Sequence, residues 1–220
     1  MVVTRYHSGC NLSKITKRLH VKFVGGSLCL DFVNTVGGRD AAGGAIRDKI
    51  ACYEDLAAWS LPAGSLSRRA VAVLLRLAAG NRRGASATLA RAVRFREALY
   101  RILARTNRRR RPLEADVEVV RGELAIARSQ QRLSGCGAGF AWALPARPQR
   151  LDHVLWPVAL AAGEFLTSAA VERLRQCRGE LCGWFFLDAS RNGTRHWCDM
   201  RDCGNRAKVK RFRERRGKGG

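Results

Sequence analysis

The sequence predicts an α+β protein that is mainly α. A helical amino-terminal domain carries a small β-hairpin, and a treble-clef-like four-cysteine module follows, in which a hairpin leads into a basic helix. Three observations predict this. Apolar residues recur at helical spacing from Ser67 to Gln130, with arginine on the opposite side. The period then shortens to two around Phe140, Trp142 and Leu144. Finally, four of the eight cysteines gather as two close pairs in the last quarter of the chain.

Residues 1–20 read as a basic flexible extension, and the globular pattern begins at Val21. Ser27 is placed to cap a helix whose buried side is Leu28, Phe32, Val33 and Val36. A strand alternating Leu28, Leu30 and Phe32 is the other reading of that stretch. Gly37-Gly38 and Gly43-Gly44 mark a loop. Helices are expected over Cys52–Trp59, Ser67–Ala79 and Ser86–Thr106. A further one is expected to reach Gln130, with Pro112 in its first turn. The glycine-rich run from Gly135 to Gly139, with the alternation that follows, predicts the hairpin. A long helical pattern from Asp152 to Gln176 then delivers the chain to Cys177. The chain divides as a helical domain over 21–172, the cysteine module over 173–216 and a tail over 217–220.

With 46% apolar residues, 220 residues are enough for a real core. The 41 Lys and Arg against 18 Asp and Glu give +23, a field that attracts polyanions. A GC-rich coding sequence accounts for the preference for Arg over Lys, but poorly for the deficit of acids. The most apolar long stretch, Val154 to Val171, is broken by Gly163 and Glu164 and falls short of the ~20 residues of a membrane span. No secretory leader is read in the first twenty residues. A cytoplasmic protein without a membrane partner is therefore expected, whose cysteines serve as metal ligands or buried thiols rather than disulfides.

Cys177 and Cys182, then Cys198 and Cys203, have the paired spacing that encodes a tetrahedral zinc site. Trp184–Leu187 and Thr194–Trp197 read as the two strands of a hairpin turning at Asn192-Gly193. A module of this size has too little buried area to offset its chain entropy. Structural zinc, worth about 10–16 kcal/mol in zinc-finger peptides, makes up that difference. One structural Zn²⁺ held by the four thiolates is the expectation, with His196 as an alternative to one cysteine. Four protein ligands close the site, whereas catalytic zinc keeps a position open. Cys10, Cys29, Cys52 and Cys136 stand singly and read as buried or idle thiols.

Beyond Cys203 the sequence predicts a helix from Arg206 to about Arg216. It carries Arg206, Lys208, Lys210, Arg211, Arg213, Arg215 and Arg216 as candidate phosphate contacts, opposed by Glu214 alone. Val209 and Phe212 form a narrow apolar stripe expected to dock on Trp184 and Trp197. Residues 171–220 hold 14 basic against 6 acidic side chains. A charge run of this kind is commonly a solvated face. Its anchorage to a metal site and its shortage of acids favour a binding role.

The run Cys198-Asp199-Met200-Arg201-Asp202-Cys203-Gly204-Asn205-Arg206 resembles the bacterial CGNR zinc-finger family. Residues Phe23 to Val36, with Tyr53-Glu54-Asp55-Leu56 and Trp59, resemble the ABATE domain that precedes that finger. The resemblance covers roughly residues 21 to 216; the extension before Val21 departs from it. It implies a stress-responsive transcription regulator with a helical sensing or interaction domain and a DNA-binding finger ligated by Cys177, Cys182, Cys198 and Cys203.

Asp31, Asn34, Thr35 and Arg39 are the candidates for a ligand pocket serving a small-molecule effector, though such residues more commonly satisfy local backbone groups. Trp142 and Trp156 are read as core packing, or as pocket walls. Arg108–Arg111 reads as a solvated loop, with a phosphate contact as the lesser alternative. No nucleophile–base pair or phosphate loop stands at a telling spacing, so an enzyme is not expected. Duplex DNA is the expected partner. RNA, stacked on Trp184, Phe185, Phe186 and Trp197, is the alternative.

Overall fold

The computed structural model describes Leu19 and residues 21–39 and 46–216. The expected basic extension and tail, Gly43-Gly44 and Cys10 lie outside the described residues, Leu19 excepted.

The first helix, α1 (Leu28–Val33), is shorter than its apolar pattern suggests, and Val36 lies beyond it in an isolated bridge to Asp48. Ser27 occupies the N-cap with extended backbone but makes no capping bond. Asp31 instead reaches back, its Oδ1 accepting from the Gly25 amide at 2.8 Å. That return needs glycine at 25, where a Cβ would sit 2.7 Å from the Cβ of Leu30.

Helix α2 (Tyr53–Trp59) follows, then α3 (Arg68–Gly80), whose cap Ser67 accepts from the Ala70 amide. Helix α4 (Arg82–Asn107) starts four residues earlier than the periodicity suggests, because Asn81 caps it through Gly84. Pro112 lies outside α5 (Glu114–Ser129), whose N-cap is Leu113. The long pattern from Asp152 to Gln176 is divided. A 3₁₀ turn (Leu151–Val154) precedes α6 (Trp156–Thr167), and a second (Ala169–Arg173) follows it. Pro157 in the first turn of α6 and an extended Ser168 at its end prevent one continuous helix.

The core is built on α4, which buries Ala92, Phe95, Leu99 and Leu103. Phe32 bridges Trp59 and Phe95, with ring centroids 5.4 and 6.0 Å away. Helix α6 packs so closely on α5 that a Cβ at Gly163 would stand 2.8 Å from Leu124. The hairpin β1 (Arg132–Cys136) and β2 (Gly139–Ala143) forms with Leu133 opposite Trp142. Its apolar side faces outward: Trp156, 3% exposed, packs in the core as expected, whereas Trp142, 68% exposed, does not.

Strand β3 (Leu174–Gln176) pairs antiparallel with β4 (Phe185–Leu187), Leu174 opposite Leu187. This corrects the expected hairpin. Residues 194–197 make no ladder; the first cysteine pair forms the turn between the two true strands. The alternation along β4 divides its aromatics. Phe185 enters the main core beside Tyr100, ring centroids 5.4 Å apart, while Trp184 and Phe186 join the cluster around the cysteines.

A candidate metal centre joined to a basic helix

The Sγ atoms of Cys177, Cys182, Cys198 and Cys203 all lie within 4.8 Å of one another, and all four residues are buried. Cys198 Sγ is 3.7 Å from those of both Cys182 and Cys203. Ligands about 2.3 Å from a tetrahedral zinc stand about 3.8 Å apart, so the cluster fits one Zn²⁺ with no position left open.

Each ligand is positioned by its neighbours. The Gly179 and Cys198 amides donate to Cys177 Sγ, both at 3.3 Å, and the Arg206 guanidinium donates to Cys203 Sγ at 3.2 Å. Gly179 allows the first turn to lie against the sulfurs, since a Cβ there would meet Cys203 Sγ at 3.0 Å. Of the second pair, Cys203 sits in a π-helical turn (Met200–Gly204) that runs directly into α7 (Asn205–Arg216), with Cys198 just before it. Gly204 is buried beneath Met200 and Trp197, where a Cβ would stand 2.5 Å from Met200 Sδ and 3.3 Å from the Trp197 ring. Asn205 Nδ2 donates to the Arg201 carbonyl at 3.1 Å. Cys203, Asn205 and Arg206 thus act as candidate zinc ligand, turn brace and hydrogen-bond donor to the ligand sulfur.

The metal-free electrostatics explain why a cation belongs here. Hydrogen bonds from the Cys182 and Cys198 thiols push the Cys177 thiol down to about 2, against the effect of burial. The hydrogen bond to Cys177, with burial, pushes Cys182 up to about 12. Cys198 is likewise raised, first by Cys177. One thiolate forms readily and opposes the next, a conflict that a divalent cation removes.

The centre is built into the helical domain. Asn34 donates to the Phe185 carbonyl at 2.8 Å and accepts its amide at 2.9 Å. Trp184 Nε1 donates to the Val36 carbonyl, and the Arg39 amide donates to the Leu181 carbonyl at 3.0 Å. Arg39 pairs with Glu97 at 2.7 Å and lies 3.6 Å over the Tyr100 ring. Arg96, 1% exposed, binds Asp48 through two nitrogens, together with Thr35 Oγ1 and Glu97. Burial opposes ionisation of Glu97, but Arg39 and then Arg96 outweigh it and hold the carboxyl below its usual range. The four residues expected to receive an effector are therefore engaged inside the fold. Asp31 braces α1, and Asn34, Thr35 and Arg39 fasten the segment after it to β4 and α4. Arg96, Glu97 and Asp48 carry no local signal in the sequence, because Arg96 and Glu97 meet Asp48 and Arg39 across tens of residues.

On α7, Arg206 turns toward the sulfur and toward Asp202 Oδ1 at 3.1 Å, and Lys210 pairs with Glu180 at 2.8 Å. Lys208, Arg211, Arg213 and Arg215 are exposed. The Arg216 side chain lies outside the described residues. The expected docking of Val209 and Phe212 on the tryptophans does not occur. They are 49% and 59% exposed; Trp184 is committed to Val36, and the side of the helix that borders the finger carries Arg206, Lys210 and Arg211. Cys29 is buried, Cys52 half-buried and Cys136 exposed.

Fold and site together define a zinc-binding protein: a helical domain continuous with a four-thiolate finger that ends in a basic helix. Residues 173–216 match the CGNR zinc finger. Residues 26–169 match the ABATE family, described as "Putative stress-induced transcription regulator", and since that match spans more than half of the chain, the chain belongs to this family. No curated protein matches the chain. No described helix is long and apolar enough to cross a membrane.

Proposed function

We propose that the protein is a zinc-dependent DNA-binding transcription regulator that acts in the cytoplasm and answers stress, presenting α7 to the phosphates of duplex DNA. The single observation that carries the reading is the fixed projection of α7. The helix grows out of the turn that bears Cys203 and is pinned there by Arg206, while Lys208, Arg211, Arg213 and Arg215 point to solvent. The closed four-thiolate site supports a binding rather than a catalytic role. Free cysteines throughout the described residues accord with a reducing compartment.

RNA is the less favoured partner. Of the four aromatics on which unpaired bases could stack, Trp184, Phe185 and Phe186 are buried, and Trp197 is half-buried against the cysteine cluster. The test is duplex binding by the zinc-loaded protein at rising salt. Replacing Lys208, Arg211 and Arg215 with Gln is expected to lower the slope of log K against log salt by about 0.9 for each phosphate that is no longer neutralised. Zinc-loaded protein that ignores duplex DNA at low ionic strength refutes the assignment.

A further inference from the structure

A cleft of about 840 Å³ opens where the carboxyl end of α4 meets the finger, with Arg109, Arg175, Arg178, Arg195 and His196 along its walls and Glu172 as the acid among its described residues. It is a different surface from α7. Its floor comes from β3 and the loop before the second cysteine pair, and its far wall from the helical domain. Arg109 belongs to the tract Arg108–Arg111, exposed throughout, and is held with φ 54 in the left-handed region that a non-glycine residue seldom adopts. Arg105 Nε donates to the Arg111 carbonyl, which fastens the loop back onto α4.

Two walls of this cleft continue elsewhere. Arg178 and His196 also line the adjoining groove of about 740 Å³ that runs beneath Arg206, Lys210 and Arg211 on α7. The cationic surface is therefore one track. It passes from α7, over Arg178 and His196, into the domain junction and up to the arginine loop. Its acids are few, and Glu180 is already engaged by Lys210. An open, polar, arginine-lined track suits an extended polyanion better than a small apolar effector, whose pocket would be enclosed and greasy.

We propose that this junction is a second phosphate-backbone contact, so that duplex DNA engaged by α7 is gripped also by Arg109 and Arg178. The helical domain then takes part in binding directly. The inference rests on the duplex-binding reading above and deepens it.

The experiment compares Arg109→Gly and Arg178→Gln with the parent, each checked for one bound zinc and an unchanged melting temperature. Glycine suits the left-handed backbone at 109. Arg82→Gln/Arg83→Gln at the other end of α4, roughly 36 Å away along the helix, is the charge control. Each cleft variant is expected to lower the salt slope by about 0.9, close to tenfold in affinity at 0.1 M salt, while the control leaves the slope in place. Cleft variants that bind as the parent does, or no worse than the control, overturn the inference. So does a weakening seen with single-stranded RNA alone. If the parent binds duplex and only the α7 variants weaken it, the junction contact fails and the helix reading survives. If the parent does not bind duplex at all, the helix reading itself has failed.

Discussion

Arg206 carries a positive charge that the sequence offers to nucleic acid and the structure offers to sulfur. Its N–H to Cys203 Sγ at 3.2 Å stabilises a thiolate, the kind of outer-shell partner whose removal costs 10–100-fold in metal affinity. Arg206→Gln is expected to weaken zinc by that factor in competition with a chromophoric chelator. Unchanged zinc affinity would return Arg206 wholly to the binding surface. Asp31 is a second residue with a legible consequence. Burial raises its carboxyl to about 6, against the Gly25 amide that favours the charged form. The folded state therefore holds its proton more tightly than the unfolded chain, where the ordinary value is 3.8. Its contribution to stability falls as pH rises between those two values and stays low above them. Urea midpoints of the parent relative to Asp31→Asn should accordingly decline from pH 4 to pH 6. A flat difference across that window would show that the carboxyl titrates normally.

The first cysteine turn is the element where geometry is tightest. Leu181 sits in the left-handed region with φ 54, a cost of about 1–2 kcal/mol for a side chain with a Cβ, while its carbonyl receives the Arg39 amide. Leu181→Gly keeps that bond and removes the strain. Offset in part by the entropy of an added glycine, it should raise stability by about 0.5–1 kcal/mol, read from denaturant midpoints. Gly179→Ala acts in the opposite sense, driving a methyl against Cys203 Sγ, and should cost about 1–3 kcal/mol along with zinc affinity. Elements of this kind were partly legible in the sequence. The helices α2 to α5, the β1–β2 hairpin and the cysteine turns follow from local spacing, whereas the long pattern from Asp152 to Gln176 is helical only over α6 and its two flanking 3₁₀ turns. The partner of β4 did not follow either: Asn192-Gly193 does turn the chain, the Gly193 amide donating to the Ser190 carbonyl at 3.3 Å with Gly193 at φ 62, but the turn closes a loop whose amides of Ser190 and Arg195 donate to Asp188, and no ladder follows. The turn formed as its residues dictate, while the strand partner of β4 came from the other side of the first cysteine pair.

At the scale of the whole molecule, finger and helical domain share one core. Phe185 and Leu174 belong to the same apolar cluster as Phe95 and Leu99, and the Asn34–Phe185 bonds tie the two parts across 151 residues of sequence. Zinc removal should therefore unfold more than the finger. Chelation is expected to lower the melting temperature of the entire chain by more than about 10 °C, as a deficit of several kcal/mol implies at this size, in one transition rather than two. Calorimetry that shows the helical domain melting unchanged beside an unfolded finger would contradict this. The zinc ligands themselves are checked by metal content: one equivalent in the parent and little in Cys198→Ser/Cys203→Ser.

The sequence by itself determined whatever depends on near neighbours. Helical and strand periods, the paired cysteines and their zinc, the excess of cations and the family motif all lie within a few residues of one another and report local geometry or summed charge. Tertiary structure alone decided which polar residues were spoken for. Asp31, Asn34, Thr35 and Arg39 became braces, and Val209 and Phe212 did not enter the core of the finger. For Asn34, Thr35 and Arg39 the deciding partner came from a distant segment brought near by burial of the apolar core, and in a core an unmatched hydrogen-bonding group is costlier than a local preference.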